Sequence, residues 1–325
     1  MSARLFAVAL MAQCVGYTSA YALDQQLPNY VPMQGTAGSL KSVGSDTLKN
    51  EMELWATGFM AVYPGVKIDV DAKGSATAPP ALLEGAAQFA PMSRPMNSVE
   101  LDAFKTKYGY PVLQFRVAVD ALAVYVNKAN PIPCLSIAQL NRIFSSSRVA
   151  AFGPDIALWG DAGLTGEWAA KPIIVYGRNE LSGTYAFFQE MALYSGDYKK
   201  DVKLQPGSEA VVQNVANDRF AIGYSGIGYK TEGVRTVPLS AVQGGQCFDT
   251  SEEATYSGKY PLARYLYIYL NKKPDQPLDP LRSEFIKYIL SKDGQIQTEK
   301  GGFFPIANDI REQELRKLGI SSPSH

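Results

Sequence analysis

Residues 176–188 read YGRNELSGTYAFF and continue the apolar run Ile173–Tyr176. The apolar run predicts a buried strand. Tyr185, Phe188 and Met191, at helical spacing within Thr184–Tyr194, predict a helix with those three side chains turned inward. Between strand and helix stand Arg178 and the turn Ser182-Gly183-Thr184. The first amides of a helix lack intrahelical partners and sit at the positive end of its dipole. A glycine there lets the backbone approach a ligand, so the junction suits an anion. The Arg178 fork matches an oxyanion edge, and Glu180, two residues on, is placed to orient it. Ordinary capping by Ser182 is the competing reading.

Two more junctions share this composition. Gly44-Ser45-Asp46-Thr47 precedes a segment whose Leu48, Met52, Trp55, Phe59 and Tyr63 fall on one helical face. Gly74-Ser75-Ala76-Thr77 precedes Pro79-Pro80 and ALLEGAAQF, a helix with proline in its first turn, where it is tolerated. A second arginine, Arg94, beside Ser93 in Pro91–Met96, is a further candidate ligand. VKIDVD at 66–71 alternates as a strand, and Leu122–Val126, Phe220–Tyr224 and Tyr265–Leu270 predict others. Glu209–Asp218, Leu281–Leu290 and Asp309–Leu318 predict helices, and Asn97 with Glu100 and Ser136 with Gln139 mark capping-box starts. Strands alternating with helices predict an α/β protein with mostly parallel sheets. Residues 23–40, rich in Pro, Gly and Gln, predict a loose lead-in, and Ser321–His325 a frayed tail.

Composition narrows the chemistry. The chain has 325 residues and one histidine, His325, at the terminus. Ser-His-Asp and Cys-His catalysis and most zinc sites therefore lack their imidazole. With 31 Lys plus Arg against 31 Asp plus Glu, no broadly basic nucleic-acid face is indicated, and any anion site must be local. Arg4 precedes the apolar run Leu5–Val15 and the small-x-small site Ala20-Tyr21-Ala22, which together predict an export signal cut after Ala22. A lipoprotein at Cys14 is the weaker reading, since Gln13 suits that processing poorly. Cleavage leaves Cys134 and Cys247, and an oxidising compartment favours one disulfide between them.

The chain resembles the phosphate-binding subunit of bacterial phosphate ABC transporters over about Leu40–Pro305. Four segments carry the resemblance: VGSDTL (43–48), GSATAPPALLEGAAQFAPMSRPM (74–96), YGRNELSGTYAFF (176–188) and VANDRFAIGYSGIGY (215–229). It implies a two-lobed periplasmic-binding-protein fold, two Rossmann-like lobes joined by a two-stranded hinge with the ligand cleft between them. The hinge is placed near Val117–Leu122 and Pro261–Tyr265. That gives a signal peptide (1–22), a lead-in (23–39), a discontinuous first lobe (40–118 and 263–325) and a second lobe (119–262). The resemblance also implies that Thr47, the amide of Leu48, and Ser75 contact phosphate from the first lobe, and Arg178, Ser182, Gly183 and Thr184 from the second. Where the family commonly carries a proton-accepting aspartate, this chain has Ser93-Arg94. Asp46 either restores the acceptor, disfavouring protonless sulfate, or caps its own helix. A periplasmic monomer, no cofactor or metal, and permease subunits as partners complete the expectation.

Other classes stay open at this point. The same fold could serve another oxyanion, a phosphate sensor or an adhesin. Asp69-Val70-Asp71 faintly resembles the Asp-x-Asp signature of aspartyl-phosphate phosphatases, although Lys73 stands where Thr or Val is usual and strand alternation explains both carboxylates as solvent-facing.

Overall fold

Strand β1 (Gly38–Val43) runs parallel to β2 (Val66–Asp71) across helix α1 (Lys49–Val62), with Gly38 opposite Val66 and Val43 opposite Asp71. The structure, a computed structural model, describes residues 23–147, 149 and 153–319. The export signal, Cys14 and the C-terminal tail lie outside these. On β2, alternation buries Val66 and Ile68 and leaves Lys67 and Asp69 in solvent. On α1, the apolar stripe of Met52, Trp55 and Phe59 is fully buried between Leu48 and Tyr63.

Helix α2 (Ala78–Leu83) opens with its two prolines, followed by β3 (Ala90–Met92). The Asn97–Glu100 capping box starts α3 (Ser98–Tyr108), after which the chain enters the 15-residue strand β4 (Leu113–Asn127). The second part of the fold comprises β5 (Leu135–Ser136), α4 (Ile137–Phe144), β6 (Ile174–Arg178), α5 (Gly183–Leu193), β7 (Lys203–Gln205), α6 (Ser208–Asn217), β8 (Ala221–Gly226), β9 (Val234–Thr236), β10 (Leu239–Ser240) and α7 (Glu252–Tyr256). The chain then returns through β11 (Ala263–Leu270), α8 (Pro280–Leu290), α9 (Lys292–Lys300) and α10 (Asn308–Arg316).

The long strand β4 explains the two-lobed form. It pairs antiparallel with β11 as far as Ala121 and with β8 from Leu122 onward. The main sheet has the order β3-β11-β4-β8-β6-β7, with β9 also on β4. One large apolar core gathers residues from Leu40 to Ala118 and from Leu266 to Leu315. The other gathers residues from Ala121 to Leu262. Each lobe thus has its own interior, and the chain passes between them on adjacent strands.

Five details differ from the sequence expectation. The helix expected to run through ALLEGAAQF stops at Leu83, and Gly85 at φ 69° turns the chain toward β3. The sheets are mixed: β1–β2, β6–β7, β6–β8 and β5–β10 are parallel, but β4 is antiparallel to β8, β9 and β11, and β11 to β3, the chain going out to the second lobe on β4 and returning on β11. The lead-in is docked rather than loose. Leu23 and Leu27 are buried, and Tyr30 packs edge-on against Tyr288 and donates to Glu284. Met191 is exposed while Phe188, Ala192 and Leu193 fill the core side of α5. Helix α9 carries a strongly polar sequence, KDGQIQTEK, that hid it from hydrophobic periodicity. Cys134 and Cys247 form a disulfide, 113 residues apart in sequence, which ties the entry to β5 to the segment that pairs with Leu239 of β10.

Candidate anion-binding site

The site lies where strand ends feed helix starts, the usual ligand position of open α/β sheets. The turn after β1 carries Asp46 and Thr47, that after β2 carries Ser75, that after β3 carries Ser93, and that after β6 carries Ser182, with Thr184 in the first turn of α5. All of these side chains are buried, as is Arg178. Gly74 reaches its turn at φ 127°, and a Cβ there would lie 2.5 Å from the Leu181 carbonyl oxygen. The two lobes touch at that point, since the Ala76 amide donates to the same carbonyl at 3.0 Å.

Asp46 and Arg178 form a buried ion pair across the lobes. The other Asp46 oxygen, Oδ2, accepts from the Ser208 amide at 3.0 Å and the Ser208 hydroxyl at 3.1 Å. Arg178 Nη1 donates to Ser208 Oγ at 2.8 Å. Asp46 therefore does not cap α1, whose N-cap is Leu48 with no side-chain bond. Its carboxylate sits instead at the start of α6 in the opposite lobe, where the helix dipole favours negative charge. Tyr229 donates to the Asp46 carbonyl at 2.8 Å, fixing the turn from the second lobe. Burial, with the Asp46 charge adding to it, raises the Tyr229 pKa, so the phenol stays protonated as a donor.

The hydroxyls cluster beside this pair. Thr47 Oγ1 and Thr184 Oγ1 lie 2.8 Å apart, and Ser75 Oγ and Ser93 Oγ 3.2 Å apart. Ser75 Oγ accepts from the Ser93 amide at 3.0 Å, and Ser182 Oγ accepts from the amides of Thr184 at 3.1 Å and Tyr185 at 3.4 Å. These two hydroxyls receive backbone protons, so their own protons are available to an acceptor. Ser182 does cap α5, and capping and anion binding are compatible on one side chain. Gly183 begins the helix in contact with the first lobe: a Cβ there would be 2.4 Å from Ser75 Oγ and 2.7 Å from Ser93 Oγ. The Arg178 Nε and the Ser45 hydroxyl are buried with no hydrogen-bond partner among the described residues, a cost that an anionic acceptor would relieve.

A second buried ion pair lies at the base of the site. Arg264 on β11 stands opposite Asp120 on β4, and its Nε and Nη2 donate to Asp120 Oδ2 at 2.9 and 2.7 Å. Arg264 Nη1 reaches the Ser93 carbonyl at 2.8 Å and Nη2 the Thr184 hydroxyl at 2.9 Å. Burial lowers the Arg264 pKa and the Asp120 charge opposes it.

Asp46, Thr47, Ser75, Ser93, Arg178, Ser182, Gly183 and Thr184 thus come together, while Leu48 follows Thr47 as the N-cap of α1 with its side chain in the first-lobe core. Arg94 does not join them: both its terminal nitrogens are held by Glu100, at 2.7 Å each, on the capping box of α3. Glu180 is exposed, and Asp46 takes the orienting role expected of it. Ser208, Asp120 and Arg264 escaped the sequence reading, although a lone charge inside each of the apolar runs VAVDALAVYV and LARYLYIYL was a usable signal. The phosphatase motif forms no carboxylate pocket, since exposed Asp69 pairs with Lys67 at 3.6 Å and Asp71 with Lys73 at 3.0 Å.

Two lobes, a two-strand connection and an interlobe cluster of hydroxyls and guanidinium groups define a solute-binding protein of the periplasmic type. A family model described as a PBP superfamily domain matches residues 32–293. The chain is 48% identical over 315 residues to the phosphate-binding protein PstS of Pseudomonas aeruginosa, covering 97% of this chain and 98% of that protein. It is 28% identical to the protein SphX of Synechococcus elongatus over 81% of this chain and 76% of that one. Among solved structures, the fold matches an ABC-type phosphate transport receptor from Vibrio cholerae with a TM-score of 0.64 at 20% identity, covering 82% of this chain and all of that one. It also matches a periplasmic phosphate-binding protein, PfluDING, solved with phosphate, with a TM-score of 0.63 at 13% identity, covering 85% of this chain and 92% of that one. The chain belongs to the phosphate-binding subunits of bacterial phosphate ABC transporters.

Proposed function

We propose that the protein captures inorganic phosphate between its lobes and delivers it to the membrane subunits of an ABC importer. The observation that carries this reading is the buried Asp46–Arg178 pair, which joins the lobes in the middle of a set of hydroxyl and amide donors. Phosphate would be held by Thr47, the Leu48 amide and Ser75 from one side, and by Arg178, Ser182, the Gly183 amide and Thr184 from the other. Charge-assisted hydrogen bonds contribute about 1.5–3 kcal/mol each, and micromolar affinity needs about −8 kcal/mol. Several such bonds reach that figure.

The lobes are taken as 40–118 with 263–325, and 119–262, a reading supported by the separate apolar cores. Bending of β4 and β11 between them would open and close the cleft. Asp46 supplies selectivity. A protonated phosphate oxygen can donate to a carboxylate, whereas sulfate at neutral pH would only be repelled. Export to the periplasm through residues 1–22 fits this role, and among the described residues no helix is long and apolar enough to cross a membrane.

Small-angle scattering tests the closure. The radius of gyration is expected to fall when phosphate is added and to stay constant with sulfate. Equal compaction by both anions, or none with phosphate, would overturn the reading.

A further inference from the structure

Arg264 is far in sequence from every junction that faces the anion, yet it touches both lobes. Its anchor is Asp120, its direct cross-strand neighbour on the connecting strands. From there it bonds to the Ser93 carbonyl of the first lobe and the Thr184 hydroxyl of the second. Asp120 completes the bridge, since its Oδ1 accepts from the Ile227 amide at 3.0 Å, beyond the end of β8. The guanidinium lies 5.1 Å from the centre of the Phe187 ring, which fixes its plane from α5.

We propose that Arg264 is a positioning residue for anion binding, holding Thr184 against the first lobe and making its hydroxyl a donor. An arginine can only donate. Its bond occupies a lone pair on Thr184 Oγ1 and polarises the O–H, so the remaining proton is presented as the stronger donor. Thr184 Oγ1 is also the atom that meets Thr47 across the cleft. The same guanidinium therefore links the bend between the lobes to the hydroxyl that closes on the ligand. The inference rests on the phosphate-binding reading above.

A double-mutant cycle on the full mature chain tests it, with phosphate affinity read by calorimetry and ligand-free stability by thermal melts. Arg264→Gln and Thr184→Val are each expected to weaken phosphate binding by about 30-fold or more, the loss of one charge-assisted bond. The double variant should bind within about threefold of the weaker single one, because both remove the same contact. A purely structural Arg264 would give penalties that multiply, and that result overturns the proposal, as does Arg264→Gln binding within about threefold of the parent. Should Arg264→Gln fail to fold, Arg264→Lys takes its place. It keeps the charge beside Asp120 but cannot span Asp120, Ser93 and Thr184, and a loss of about tenfold is expected. Parent-like affinity in the lysine variant overturns the proposal. A parent protein that does not bind phosphate at all overturns the phosphate reading, and this inference with it.

Discussion

The Asp46 carboxylate, carried by the turn between β1 and α1, is paired with the Arg178 guanidinium at the end of β6, and both are buried in the contact between lobes. Neither charge has water to fall back on. Removing one partner of such a pair leaves the other desolvated, at a cost of about 3–5 kcal/mol.

Arg178→Ala is therefore expected to do two things at once. Phosphate affinity should fall by at least about 100-fold, or about 2.7 kcal/mol. Thermal stability of the ligand-free protein should fall as well, because the buried Asp46 carboxyl loses its ion-pair partner and keeps only Ser208. Calorimetry and melting curves read the two effects separately, and an unchanged affinity would remove Arg178 from the site.

Asp46→Asn keeps an acceptor for Ser208 but removes the negative charge. The preference for phosphate over sulfate should shrink by about tenfold or more, the scale of one charge-assisted interaction. Competition titrations measure it. An unchanged preference would limit Asp46 to tethering Arg178 and the start of α6.

Gly183→Ala separates closure from folding. The added methyl would press on Ser75 Oγ and Ser93 Oγ, which belong to the other lobe. Alanine is a good helix former, so α5 itself should tolerate it. Phosphate binding is expected to weaken about tenfold or more while the ligand-free melting temperature changes little, since a contact made only on closure is lost. Normal affinity would mean that the lobes do not approach this closely.

The Cys134–Cys247 bond contributes through the unfolded chain. A disulfide closing a loop of this size stabilises by roughly 2–5 kcal/mol. It holds the small β5–β10 sheet, which none of the anion-facing turns joins. Replacing both cysteines by serine should lower the unfolding midpoint in denaturant and leave phosphate affinity within about twofold, because distant sites act independently. Coupled loss of binding would contradict this separation.

Glu51 on α1 predicts a pH dependence. Its carboxyl is fully buried, which raises its pKa well above the usual carboxylate range, with the Thr298 hydroxyl opposing the shift. The unfolded carboxyl releases its proton at a lower pH than the folded one. Stability from this group is therefore full below the unfolded value and declines as pH rises toward the folded value. Glu51→Gln should raise the melting temperature at neutral pH, with the gain shrinking as pH falls toward 4. A gain independent of pH would show that ionisation of Glu51 is not its source.

Residues that act within a few positions of one another were legible in the sequence. Thr47, Ser75, Ser182 and Thr184 lie at strand-to-helix junctions, where glycine, hydroxyl and apolar spacing mark the turn, and Arg178 lies beside one of them. What escaped depends on distant pairing. Asp46 meets Ser208 across 162 residues, and Arg264 meets Asp120 across 144. Only the register of β11 on β4 makes that second pair. Arg94 misled because its near neighbour Glu100 satisfies it locally. The lead-in was hidden by its composition: Leu23, Leu27 and Tyr30 are spread among Pro and Gln, and the segment is held by Glu284 and Tyr288 of α8, Asp293 and Glu299 of α9 and Phe59 of α1.

Isothermal titration of the mature protein with phosphate and with sulfate separates the proposed ligand from its isostere. One phosphate site per chain is expected, with micromolar or tighter affinity, and sulfate bound far more weakly. Binding of sulfate, or of a carboxylate, in preference to phosphate would contradict it.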